Sequence, residues 1–231
     1  MILRWRSSVA GMALVLTACG GGGGGSADPV GPAPQTGKAS DSATAHTIVL
    51  EQADLPAPWK GAAHSADPGE EERARQIATC LGRPDPATTR TAIAYGPDMT
   101  LDQAQVSSIA TVLDTADDAR ADLAATRGPG YGDCVLASLK ADLQRQAPGA
   151  TVADMAAAPL DVEAFGDASV GVRLTASVVY SDHTDRLFVD LVYITKDRST
   201  VSLTFFSFNQ PFAPTLEQSL VSRVGHRIAT A

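Results

Sequence analysis

Cysteine, histidine and aromatic residues are scarce in this chain: 3 Cys, 4 His and 5% aromatic side chains in 231 residues. Each scarcity excludes something. His46, His64, His183 and His226 lie far apart, and none has a partner at the helical spacing that builds a zinc site, so no metal is expected. No Cys-x-x-C pair is present to lower a thiol pKa, which argues against a redox centre. The nearest approach to the G-x-S-x-G turn of serine hydrolases runs from Gly166 to Gly171. Its spacing is wrong and it leads into an alternating stretch, so Ser169 reads as a turn residue. The acids follow helix starts and hairpin turns, and they nominate no general acid and base. No catalytic residue and no cofactor are therefore expected, and the residues of any ligand site stay unassigned.

Long apolar runs are missing too. The longest near the amino terminus, Val9 to Leu16, falls far short of the ~20 residues that cross a bilayer as a helix. It lies between Arg4 and Arg6 on one side and small residues on the other, the three-part pattern of an export signal over residues 1–18. Leu16-Thr17-Ala18-Cys19 resembles the bacterial lipobox, which implies lipid on the Cys19 thiol and cleavage before it. The alternative is an ordinary secretory signal cut near Ala18, leaving a free thiol that exported proteins rarely expose. Each buried CH₂ of an acyl chain contributes about 0.8 kcal/mol, so two or three chains make a firm anchor. The expected location is the extracytoplasmic face of a cell membrane.

Losing Arg4 and Arg6 with the signal leaves 16 basic against 26 acidic side chains, a formal charge of −10. With no basic cluster, such a chain repels polyanions, and nucleic acid is not an expected partner. Cys80 and Cys134 then remain as the only possible pair, and an export compartment makes a disulfide the default. It closes a loop of about 55 residues, worth roughly 4 kcal/mol in the chain-entropy model.

Gly20 to Gly25 and the Pro, Ala, Ser and Thr that follow leave little to bury, so residues 19–45 read as lipidated Cys and tether. Residues 46–231 read as one domain. Thr47 to Glu51 is expected to be a strand. A helix follows Asp67-Pro68-Gly69-Glu70-Glu71 and stops at Gly82 and Pro84, with Ala74, Ile77, Ala78 and Leu81 as its apolar stripe and Cys80 in its last turn. Ala92–Tyr95 and Gln105–Asp114 read as strands, the run after Thr115-Ala116-Asp117-Asp118 as a capped helix, and Asp133–Gln146 as another, with Cys134 at its start.

The clearest pattern is Val170, Val172, Leu174, Ala176, Val178 and Tyr180 alternating with smaller or polar residues, the period of a half-buried strand. Leu187–Thr195 and Thr200–Phe208 continue it through hairpin-length connections. Leu216, Leu220, Val224 and Ile228 mark a closing helix. The fold class is thus α+β: an antiparallel sheet with helices packed on both faces and one disulfide. Phe205, Phe206 and Phe208 on both faces of one strand agree with cover on each side. Trp59, in the stiff Leu55-Pro56-Ala57-Pro58 segment, is expected either to line a pocket or to pack beneath a loop.

Asp54-Leu55-Pro56 with Trp59, Cys80-Leu81-Gly82, Val106-Ser107-Ser108 followed by Ala119, Cys134 near a helix start and Phe165-Gly166-Asp167 resemble the exported sensor-type domains of actinobacterial lipoproteins and of mycobacterial PknH-like receptor kinases. A single Asn, at 209, and four lysines fit a GC-rich genome. The resemblance implies a central antiparallel sheet, helices on both sides and a cleft for an unidentified ligand. The kinase-linked forms carry two disulfides and this chain can form one, so no ligand residue is carried over.

Three functional classes follow. A ligand-binding or sensory envelope module, meeting a small molecule or envelope component, fits an acidic tethered domain best. A structural or assembly partner would show an exposed apolar patch. An enzyme, the least expected, would show a cleft of titratable groups with displaced pKa values.

Overall fold

The computed structural model describes residues 39–65, 67 and 69–231. The expected signal, Cys19 and the first part of the expected tether lie outside the described residues.

The described residues fold as five α-helices and eight strands in one antiparallel sheet. In order these are α1 (Ala39–Ile48), β1 (Lys60–Ala62), α2 (Glu70–Cys80), β2 (Arg90–Tyr95), β3 (Asp98–Leu101), β4 (Ala104–Leu113), α3 (Ala116–Arg127), α4 (Tyr131–Gln146), β5 (Thr151–Leu160), β6 (Ala168–Val179), β7 (Thr184–Lys196), β8 (Ser199–Phe208) and α5 (Pro214–Thr230). The strand order is β1-β3-β4-β8-β7-β6-β5, with β2 also pairing with β4. β2 and β3 run along the same edge of β4, interrupted at Gly96 and Pro97, where proline has no N–H to give the ladder.

Alternation sends the residues of β7 and β8 to two separate cores, with β4 adding to the first and β6 to the second. Val106, Val192, Val201, Leu203 and Phe205 pack with Trp59, Phe212 and the Leu220, Val224 and Ile228 stripe of α5, beside Ile48 of α1. On the opposite face Leu174, Ala176, Val178, Leu187 and Val189 pack against Val135 and Leu143 of α4, with Ile77 and Leu81 of α2 and with Phe206 and Phe208. Helices therefore cover both faces.

Local signals set most boundaries. The Asp67 carboxylate accepts from the Gly69 N–H at 2.8 Å ahead of α2, and Gly82, at φ +66°, ends that helix in the left-handed conformation only glycine adopts freely. Thr115 Oγ1 accepts from the Asp118 N–H at 3.1 Å and caps α3. The Cys80–Cys134 disulfide joins the last residue of α2 to the first turn of α4, with Cα atoms 5.9 Å apart. Three strands and α3 intervene in the chain, β3 being the one not expected there.

Two expectations fail at the amino end. Residues 39–45, read as the end of the tether, are helical, and Thr47–Glu51 is not a strand: Thr47 and Ile48 end α1, and a 3₁₀ turn follows at Gln52–Asp54. The cause is tertiary. Asp41 is buried and holds Arg198 at 2.8 Å and the Thr91 hydroxyl at 2.8 Å, while Ala45 and Ile48 lie in the core. β1, β3 and β5 were not foreseen. β5 is alanine-rich, carries Pro159 and contains a bulge between Ala153 and Ala156, features of a weak edge strand.

Candidate functional site

The floor of a cavity on the α2–α4 face is a grid of six side chains from three strands. Ser202 of β8 lies opposite Ile109 of β4 and Tyr193 of β7, and Thr200 lies opposite Thr111 and Thr195 in the same way. Much of the rest of this face is leucine, valine, alanine and phenylalanine, while Ser107 and Thr204 extend the hydroxyl rows by one more. Here short hydroxyl side chains leave space beneath the helices, and a cavity of about 260 Å³ results. That is just under the ~300 Å³ at which drug-sized ligand sites begin, so it suits a small or slender molecule.

One wall is the apolar stripe of α2, Ala74, Ile77, Ala78 and Leu81. Leu123 and Thr126 of α3 form another, and Tyr131, at the start of α4, closes the inner end. The disulfide thus joins two of the helices that bound the cavity.

Tyr131 and Tyr193 meet edge to face, their hydroxyl oxygens 2.5 Å apart. Burial pushes both phenols well above their ordinary range, so they are neutral hydrogen-bonding groups. At the mouth the Arg83 guanidinium pairs with Asp122 at 2.5 Å and donates to the Ala121 carbonyl. Burial raises the Asp122 pKa against the opposing pull of Arg83. The Ser202 hydroxyl donates to the Ile109 carbonyl at 3.4 Å, and no histidine lines the cavity to activate it. The arrangement can hold a molecule with an apolar body and a few hydrogen-bonding groups.

Trp59 lies elsewhere. It is buried on the opposite face, 5.6 Å from the Phe212 ring centroid, and its carbonyl accepts from Gln52 Nε2 at 3.1 Å. The packing role holds for this residue, and it cannot report on the α2–α4 cavity. Ser169 serves its turn, accepting from the Phe165 N–H at 2.9 Å and donating to the Phe165 carbonyl at 3.2 Å. The histidines stay apart: His64 stacks on Tyr95, His183 on Tyr180, and His226 meets the edge of Phe165. Among the described residues no three His, Cys, Asp or Glu side chains are grouped to hold a metal ion, and no helix is long and apolar enough to cross a membrane.

One charged group escaped the sequence reading. Arg173 lies opposite Asp190 on the neighbouring strand and grips its buried carboxylate at 2.6 and 2.5 Å, with Glu217 of α5 behind at 4.0 Å. Two signals were available. Asp190 is a lone acid in the apolar run Leu187–Ile194, and Glu217 shares a helix face with Val221, Val224 and Ile228.

No protein-family model matches the chain, and no curated protein matches it. Among solved structures it is similar to the extracellular domain of PknH from Mycobacterium tuberculosis, at 12% identity over 82% of this chain and 94% of that one, with a TM-score of 0.37. An uncharacterised protein from Mycobacterium smegmatis gives 12% identity, 76% and 78% coverage and a TM-score of 0.37. LpqN of M. tuberculosis, involved in cell envelope biogenesis, gives 12%, 77% and 85%, and 0.27. Likenesses this distant concern the arrangement of strands and helices and say nothing about ligand or activity.

Proposed function

We propose that the protein is a binding module of the bacterial cell envelope, held on the extracytoplasmic side of a membrane by lipid on Cys19, and that its ligand occupies the cavity between the sheet and the disulfide-joined helices. One observation carries the reading: four short hydroxyl side chains, Thr111, Thr195, Thr200 and Ser202, replace core-filling residues under helices that a covalent bond holds in place. A cavity fixed before the ligand arrives loses less free energy on binding than one that must order itself. The ligand class that fits is a small neutral amphiphile, with its apolar part along α2 and its polar part over the floor.

An assembly partner is less well supported. Among the described residues Val179, at 36%, is the one large apolar side chain that is exposed. Catalysis is less well supported again, since the cavity hydroxyls of Ser202 and Thr126 bond to backbone carbonyls and Asp122 is paired with Arg83. The test is mass spectrometry of the full chain extracted gently from its native envelope, with thermal-shift screening of envelope extracts. A retained small molecule, or a stabilising fraction, is the expected result. A bare protein that no fraction stabilises would move the assignment to an assembly role.

A further inference from the structure

The polar groups that line the α2–α4 cavity are unevenly satisfied. Tyr131 and Tyr193 both line it, and their hydroxyl oxygens lie 2.5 Å apart. Two phenols carry two hydrogens, and only one of these fits between the oxygens. The tyrosine that accepts that bond keeps a hydrogen of its own, and neither hydroxyl bonds any other described residue. Both groups stay protonated, because burial pushes their pKa values above the ordinary phenol range. One donor in this wall is therefore unused.

Thr195 supplies a second. It is 2% exposed, follows Tyr193 by two residues on the same face of β7, and lines the same cavity. Its hydroxyl forms no hydrogen bond with a described residue. Among the described residues every fully enclosed side-chain oxygen or nitrogen has a partner, so the little exposure left to Thr195 includes its hydroxyl, which opens on the cavity. A buried donor left without an acceptor is expensive, and a ligand oxygen relieves it. The mouth differs in kind. Arg83 and Asp122 are the two charged side chains of the lining, and they pair there at 2.5 Å, so an ionic ligand must break that pair to find a counter-charge.

We infer that the ligand is an uncharged carbonyl compound, a ketone or ester of modest length, that enters oxygen first. Its carbonyl oxygen accepts from the spare hydrogen of the Tyr131–Tyr193 pair and from Thr195, and its hydrocarbon chain lies along α2 toward Arg83. A carbonyl oxygen accepts through two lone pairs and brings no hydrogen that needs an acceptor of its own. The orientation is opposite to that of a surfactant, whose polar head stays in water. It makes Tyr131, Tyr193 and Thr195 the residues that set specificity. The inference rests on the α2–α4 cavity being the ligand site and adds to that reading a chemical class and a direction of entry.

The test titrates the full chain, in mild detergent, with probes of one shape: 2-heptanone, its hydrocarbon isostere 2-methyl-1-heptene, 2-heptanol and heptanoate. The ketone should bind about five- to tenfold more tightly than the isostere, as a hydrogen bond from a buried donor allows, and no more weakly than the alcohol. Heptanoate should not bind. The ratio of ketone to isostere affinity is then compared between wild type and variants, so that partition into detergent cancels. Tyr131→Phe and Tyr193→Phe each leave one phenol able to turn its hydrogen to the ligand, and either alone should keep the ratio. The double variant should lower it at least about threefold with the isostere's affinity unchanged, a selective loss that a merely structural role would not produce. Thr195→Val, which keeps the side chain's shape, should lower it as well. Equal affinity for ketone and isostere, tighter binding of 2-heptanol or heptanoate, or a ratio unmoved by both the double variant and Thr195→Val would overturn the inference and leave the site standing. No binding of any probe would overturn the inference and the site together.

Discussion

The ring of Phe165 lies directly on the backbone of Gly225. A Cβ built on that glycine would stand 2.3 Å from Phe165 Cγ, far inside contact distance. The loop between β5 and β6 is seated on α5 through this contact, and the helix has no side chain there for that reason. Gly225 sits in a helix interior, where alanine is ordinarily favoured by about 1 kcal/mol. Gly225→Ala is nevertheless expected to destabilise the fold by about 1–3 kcal/mol, because the ring must move. Chemical denaturation checks the sign, and Phe165→Leu should reduce the penalty when the two changes are combined.

His64 makes stability depend on pH. Its ring stacks on Tyr95 at 4.4 Å and lies between Asp98 and Glu70, each 3.3 Å from one ring nitrogen. The bond to Asp98, then that to Glu70, raises its pKa to about 9 from 6.5. A raised pKa adds stability that is complete below the unfolded value and is lost as pH climbs through the folded one. The contribution should therefore be full below about pH 6.5 and gone above about pH 9, and worth about 1–2 kcal/mol after solvent screening. Urea midpoints of wild type and His64→Gln should converge as pH rises through that window.

Much of the fold was legible because period and punctuation agree. The alternation along β6, the hairpin-length connections to β7 and β8, the Thr115 cap and the Gly82 stop all act locally. α1 was hidden because its order depends on Arg198 and Thr91, distant in sequence, and not on an apolar stripe of its own. β5 was hidden because alanine and proline carry little strand signal. The cavity floor was unreadable for a different reason: Thr111, Thr195, Thr200 and Ser202 look like ordinary outward residues until pairing sets them side by side.

The disulfide should hold that cavity open. Replacing Cys80 and Cys134 together by alanine is expected to cost about 2–4 kcal/mol in a denaturant titration. Thiol counting on the denatured, unreduced wild type should find neither residue free. Two reactive thiols would contradict the bond.

Cys19 is the expected point of lipid attachment. In detergent phase separation the wild type should enter the detergent phase, and Cys19→Ala the aqueous one. Two soluble species would remove the anchor.

The central claim, that the α2–α4 cavity is the ligand site, is tested most directly by filling it. Thr200 lies at the centre of one floor row, between Thr111 and Thr195, and Thr200→Leu would occupy the space without touching the disulfide. Native mass spectrometry of wild type and Thr200→Leu, extracted in parallel from the same envelope, should show an adduct on the first and none on the second, with circular dichroism unchanged. The same adduct on both proteins, or on neither, would contradict the assignment.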